Sequence, residues 1–222
     1  MRQPTKRPQV GSSTRVQRRC VVTLLALSLV VVLVGCRRAP DQSGSVQGAD
    51  KRGSASTSSS AVDLPFDTTF TQRWNPRNDG TAYEPCVTPD EATLLALGID
   101  HSSISDAAGT DGQTLRGCSW DYFSDRGQDH WSLTQMVANS GSLADYRRKY
   151  AKDHWMPDRT IRGRAAGVTD SPHLGECMTY VQSARAGITT LAIHHGLPHP
   201  PVREVCDRAI AFTEATIGKM PR

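Results

Sequence analysis

The sequence predicts an α+β domain, an antiparallel sheet with helices packed on it and held by two disulfides. Three observations carry this. Apolar residues alternate at period two in segments close enough to pair as hairpins, as in ECMTYVQS and GITTLAIHH across SARAG. Segments with helical spacing and cap chemistry fall between them at intervals. Four cysteines, Cys86, Cys118, Cys177 and Cys206, are spread through this region with strand or helix signals around each.

The chain begins differently. Residues 1–19 carry six bases and no acid, and residues 20–35, CVVTLLALSLVVVLVG, carry no charge. A basic stretch followed by an apolar one is the pattern of a secretory signal peptide. The run is short for a spanning helix, which needs about 20 apolar residues. Leu33-Val34-Gly35-Cys36 resembles the bacterial lipobox. That resemblance implies diacylglyceryl modification of the Cys36 thiol, cleavage before it, and a membrane partner reached through the lipid. Cys20 would leave with the signal. Two acyl chains suffice for stable anchoring, at ~0.8 kcal/mol per buried methylene.

Processing reverses the charge balance. Six of the 26 Lys and Arg precede Cys36 and all 22 Asp and Glu follow it, which leaves 20 bases against 22 acids. The basic excess belongs to the signal, so a nucleic-acid surface is not expected. Residues 36–62 are rich in Ser, Gly and charge and lack aromatics. They read as a tether, too poor in apolar surface to offset the entropy of ordering. Its mean span is roughly 28 Å, from ~5.5 Å × √26. The folded domain is expected over residues 63–222, long enough for one core.

Within that domain, Arg73 to Tyr83 mixes Arg73, Trp74, Arg77 and Tyr83 with the turn residues Asn75-Pro76 and Asn78-Asp79-Gly80. Trp, Tyr and Arg anchor interfaces, so these four are the candidate binding residues; the plainer alternative is a lead-in that packs Trp74 on the core. Thr88-Pro89-Asp90-Glu91 predicts a helix start with Thr88 as N-cap, and Gly98 its end. RGCSWDYF predicts a strand with Cys118, Trp120 and Tyr122 on one face, and HWSLTQMV a second after the turn SDRGQD. Ser142 starts an amphipathic helix with Leu143, Tyr146 and Tyr150 on one stripe. Short strands are expected near 160–169. The last helix carries Val202, Cys206, Ala209, Thr213 and Ile217 along one side.

In an oxidising compartment four cysteines argue for two disulfides, and three pairings are open. Each half of the domain offers one strand cysteine and one beside or in a helix. The favoured pairing is therefore Cys86–Cys118 and Cys177–Cys206, pinning a helix to the sheet in each half. Each loop of about 30 residues contributes roughly 3–4 kcal/mol in the chain-entropy model.

No nucleophile elbow, HExxH, Walker or SxxK pattern is present, so no catalytic residue, cofactor or metal is assigned. His194, His195 and His199 cluster at a strand end and proline loop, where solvent-facing imidazoles are expected; adjacent strand residues point to opposite faces and do not easily share a metal. Asp106, Asp111, Asp121, Asp125 and Asp129 are expected in turns rather than as a catalytic pair.

The lipobox, the Ser-rich tether, Tyr83-Glu84-Pro85-Cys86, the Thr-Pro-Asp-Glu helix ending Leu97-Gly98-Ile99, and Gly117-Cys118-Ser119-Trp120 together resemble actinobacterial lipoproteins grouped as domain of unknown function 3558. The resemblance covers about residues 64–218 and implies a cell-envelope lipoprotein without established catalysis. The expected function is a non-catalytic binding module for a small ligand, an envelope component or a protein partner. An envelope-acting hydrolase and an assembly factor are the alternatives.

Overall fold

The computed structural model describes residues 62–123 and 130–222. The expected signal peptide, Cys36, the expected tether up to residue 61 and residues 124–129, with Asp125 and Asp129, lie outside the described residues.

Eight strands form one antiparallel sheet: β1 (Ile99–Asp106), β2 (Arg116–Tyr122), β3 (Trp131–Asn139), β4 (His154–Trp155), β5 (Arg159–Ile161), β6 (Arg164–Ser171), β7 (Glu176–Ser183) and β8 (Ala186–His194). Their order is β1-β2-β3-β8-β7-β6-β4, with β5 also on β6. Three helices join them: α1 (Glu91–Ala96), α2 (Leu143–Lys149) and α3 (Val202–Thr216). The α+β antiparallel architecture is as the sequence predicts. Cys86–Cys118 and Cys177–Cys206 are the two disulfides, with Cα–Cα distances of 5.2 and 5.0 Å.

One face of the sheet holds the core. Cys118, Trp120, Leu133, Val168, Cys177 and Ala192 meet Val205, Cys206, Ala209 and Phe212 of α3, and the Trp120 and Phe212 rings are 5.5 Å apart. A second cluster, around Val137, Val181, Ile188 and Ile217, continues it toward the C-terminus. The buried side of α3 is broader than the expected stripe. Val205, Phe212 and Thr216 join it, whereas Val202 is half-buried.

A polar row runs through this apolar layer. Tyr83 donates its hydroxyl to Gln135 Oε1 at 2.6 Å, and Gln135 Nε2 donates to Thr190 and Thr216 at 2.9 and 3.2 Å. Thr213 and Thr216 also donate to the carbonyls of Ala209 and Phe212, each at 2.9 Å. With every partner supplied, these groups avoid the desolvation penalty of an unmade bond.

One local expectation needs correction, and one strand lies where none was expected. The N-cap of α1 is Asp90, which accepts the Thr93 N–H at 2.8 Å, and not Thr88. Thr88 instead closes the preceding turn: its N–H and hydroxyl both donate to the Glu84 carbonyl. Buried Glu84 fixes that turn, so the helix starts later. The Gly98 stop is observed, at φ +73°. Strand β1 is the second difference. Residues 99–106, IDHSSISD, give no clean alternation because β1 is an edge strand with a register shift between Asp100 and Ser105.

Candidate functional site

The lead-in does not form one binding loop. Arg73 and Tyr83 point inward, 6% and 3% exposed. Arg73 bonds Glu84 at 3.1 Å through Nη1 and Asp106 through Nε. Arg116, wholly buried, meets the same Glu84 carboxylate at 2.6 Å and donates to the carbonyls of Asn78, Thr81 and Tyr83. Trp74 is half-buried, with the Arg116 guanidinium 3.6 Å from its ring centre. Two guanidiniums are thus set against two carboxylates. Burial pulls the Arg116 pKa down to about 10 even though the Glu84 charge opposes the shift. For Arg73 burial acts downward too, but Glu84 and Asp106 outweigh it and the net shift is upward. This cluster fastens the lead-in to the sheet. Arg116 is a residue that sequence reasoning missed, because an arginine at the start of a predicted strand reads as a surface charge.

Arg77, the fourth candidate, is exposed and reaches a different place. With Pro76 it forms one rim of a groove of about 600 Å³ on the face of the sheet opposite α3. Strand alternation creates this face. Trp131, Leu133, Gln135 and Val137 point into the core, so Met136 and Ala138 point away from it. Register then sets the floor. Met136 pairs with Thr189, which pairs with Tyr180; Ala138 pairs with Gly187; and Met178 lies one step along, opposite Leu191.

The small residues leave the room. A Cβ on Gly187 would lie 2.3 Å from the Tyr180 ring, which therefore lies down over the glycine instead of standing up into the groove. At Gly167 the same space is taken by Leu143 and by the Trp155 ring, each 2.7 Å from a built Cβ. That contact seats α2 beside the groove. Ser142 caps α2 as expected, accepting the Asp145 N–H, and the predicted stripe faces the sheet. Tyr146 packs on Tyr180 with ring centres 4.3 Å apart, on Tyr150 at 4.5 Å and on Trp155 at 6.2 Å. Burial raises the Tyr146 and Tyr180 pKa values, so both phenols stay neutral at physiological pH.

The rim carries charge. Arg77 and Lys149 both line the groove and are exposed, and neither has an ion-pair partner among the described residues. The one acid lining it, Asp145, is engaged by Arg148 and by the Ser142 hydroxyl. Arg77 donates to the Gly112 carbonyl at 2.9 Å, which leaves most of its N–H groups available.

The histidines do not converge. His194 is buried with its ring 4.6 Å from Trp131, so the expectation of solvent-facing imidazoles fails there. The strand alternation that separates it from His195 sends it into the core side. His195 is exposed, with Nε2 2.8 Å from the Ser132 hydroxyl and its ring 4.9 Å from His130. Its pKa is lowered, by burial first and then by His130. Among the described residues no group of three or more His, Cys, Asp or Glu side chains is placed to hold a metal ion. Asp106 and Asp121 lie in strands β1 and β2 rather than in the expected turns, because the sheet extends through both segments; Asp106 bonds Arg73, and Asp121 approaches His130 at 3.4 Å.

Fold and site define a disulfide-stapled antiparallel α+β domain with an aromatic-walled groove on the face of the sheet opposite α3. The chain belongs to the family described as protein of unknown function, DUF3558, whose model matches residues 31–219. No curated protein and no solved structure matches it.

Proposed function

We propose that this chain is a lipid-anchored lipoprotein of the cell envelope and that its folded domain is a non-catalytic binding module. The observation that carries the binding role is the groove: about 600 Å³, floored by Met136, Ala138 and Gly187 and walled by Tyr146 and Tyr150. This falls in the size range of small-molecule sites, which are largely apolar with a few polar groups. Support for the anchor is the Leu33–Cys36 motif, which the family match includes. No helix among the described residues is long and apolar enough to cross a membrane.

Two measurements test the proposal. Intact mass of the membrane-extracted protein should show a chain starting at diacylglyceryl-Cys36, with four thiols alkylated only after reduction. Retention of residues 1–35 would overturn the anchor. Small-molecule binding, read as saturable thermal stabilisation, should disappear when Ala138→Trp fills the groove. Binding unchanged by that substitution would place the site elsewhere.

The Ser132–His195 contact of 2.8 Å favours a second reading, an envelope-acting hydrolase with Ser132 as nucleophile and His195 as base. Among the described residues no carboxylate hydrogen-bonds His195 to orient it. Ester hydrolysis by the wild type that Ser132→Ala abolishes would establish this reading over the first.

A further inference from the structure

Resting on the groove as the binding site, we infer that its ligand is an amphiphilic organic anion: an apolar body laid on the sheet and one anionic group paired with Arg77 and Lys149. Two independent features point to this chemistry.

The floor is the first. Met136, Ala138 and Met178 present methyl, methylene and thioether surface, and Tyr146 and Tyr150 add ring surface along one side. Methionines adapt to irregular apolar shapes, and tyrosines add rigid contact area. Such a floor rewards an apolar body, and the polar lining residues Thr114, Ser140 and Thr189 lie beside it.

The charge is the second. Arg77 comes from the lead-in and Lys149 from the last turn of α2, so two separate elements each bring a cation to the same groove. Neither is neutralised by an acid among the described residues, and Asp145 is already engaged by Arg148 and Ser142. A guanidinium with free N–H groups binds carboxylate, sulfonate or phosphate oxygens, and an ammonium adds a point charge. Anionic groups of this kind occur on acylated lipids and on small aromatic acids, and both share the chemistry.

A matched pair of probes isolates the charge. Naphthalene-2-sulfonate and naphthalene-2-sulfonamide have the same apolar body, and only the first is anionic. Each is titrated calorimetrically into the full chain held in lipid nanodiscs, with empty nanodiscs as the blank. The sulfonate should bind at least five-fold more tightly than the sulfonamide. The Arg77→Gln/Lys149→Gln variant should reduce that ratio below two, by lowering sulfonate affinity more than sulfonamide affinity. Octyl sulfate, titrated in parallel, separates the sources: tighter binding than the naphthyl probe indicates an acyl body, weaker binding an aromatic one. Equal affinity of the matched pair for the wild type would overturn the anion assignment, and loss of both in Ala138→Trp would still uphold the groove. If neither probe binds, or if Ala138→Trp binds them as the wild type does, the groove reading itself fails.

Discussion

Replacing Glu84 by Gln tests whether the lead-in is held by desolvated charge. The carboxylate accepts from Arg73 Nη1 and Nη2 at 3.1 and 3.2 Å, from Arg116 Nη1 at 2.6 Å and from the Cys86 N–H at 3.3 Å. Gln keeps the shape, removes the charge and turns an NH2 toward a guanidinium. Arg73 retains Asp106, but Arg116 has no other carboxylate in contact among the described residues and is wholly buried. Removing one partner of a buried ion pair typically costs about 3–5 kcal/mol, because the other charge stays in a poorly solvating site. For a domain of this length each kcal/mol moves Tm by about 2–4 °C, so Glu84→Gln should lower it by about 6–20 °C. Calorimetric melting with both disulfides intact reads this directly. Glu91→Gln, at an acid 61% exposed, is the control and should fall within about 0.5 kcal/mol of wild type. Adding Arg116→Met to Glu84→Gln should recover part of the loss, since it removes the stranded charge. A loss below about 1 kcal/mol for Glu84→Gln, or no recovery in the double variant, would refute the assignment of the cluster as a desolvated fastening.

Three further outcomes are expected. Cys177→Ala together with Cys206→Ala should cost about 3–4 kcal/mol in urea unfolding, mainly by releasing a loop closed over 29 residues of sequence separation. Ala184 occupies the β7–β8 turn at φ +49°, where side chains are disfavoured, so Ala184→Gly should raise stability by about 0.5–1 kcal/mol in the same assay. The cap assignment is tested at Asp90: Asp90→Ala should lower the melting temperature through loss of the α1 cap, and a pH titration of stability should show its contribution fading with acid. The sign follows from the Asp90 pKa, lowered chiefly by its hydrogen bond to Thr93; the stabilisation is present above the unfolded carboxylate pKa and disappears as pH falls through the lower folded value.

Where the sequence was readable, a local rule and the tertiary structure agreed. Cys118, Trp120 and Tyr122 alternate because β2 has one face on the core, and that face is apolar. Ser142 caps α2 and Tyr146 lies on its half-buried stripe because a short amphipathic helix must turn that stripe toward something. The pairing of Cys177 in a strand with Cys206 in a helix followed from the same logic. Strand β1 was unreadable because an edge strand with polar residues on both sides carries no period. Gln135 and Arg116 were unreadable as interior residues, since polar side chains enter a core only when partners from distant segments await them. Of the proposed binding residues, Arg77 lines the groove, while Arg73 and Tyr83 bond inside the fold. Composition alone does not distinguish an arginine that holds a loop from one that the loop presents.

The two roles of the lead-in are connected. Buried Asn78 donates to the Arg73 carbonyl at 2.9 Å and accepts the Asn75 N–H at 2.9 Å, so the turn before Arg77 is locked to the charged cluster. On the far side the Asn139 side chain donates to the Pro76 carbonyl and to Asp79 at 2.9 Å, and the Asn139 N–H donates to the Arg77 carbonyl at 2.8 Å. The backbone of Arg77 is therefore held from both sides while its side chain faces the groove. A cation carried on a fixed backbone loses less freedom on pairing with a ligand than one carried on a loose loop. On this argument Asn139→Ala, which frees Pro76, Asp79 and Gly80 and also trims the groove lining, should weaken binding of the anionic probe more than that of the neutral one and leave its dependence on Lys149 intact. If probe affinity does not change while the melting temperature falls, the lead-in serves stability alone, and fastening does not contribute to recognition.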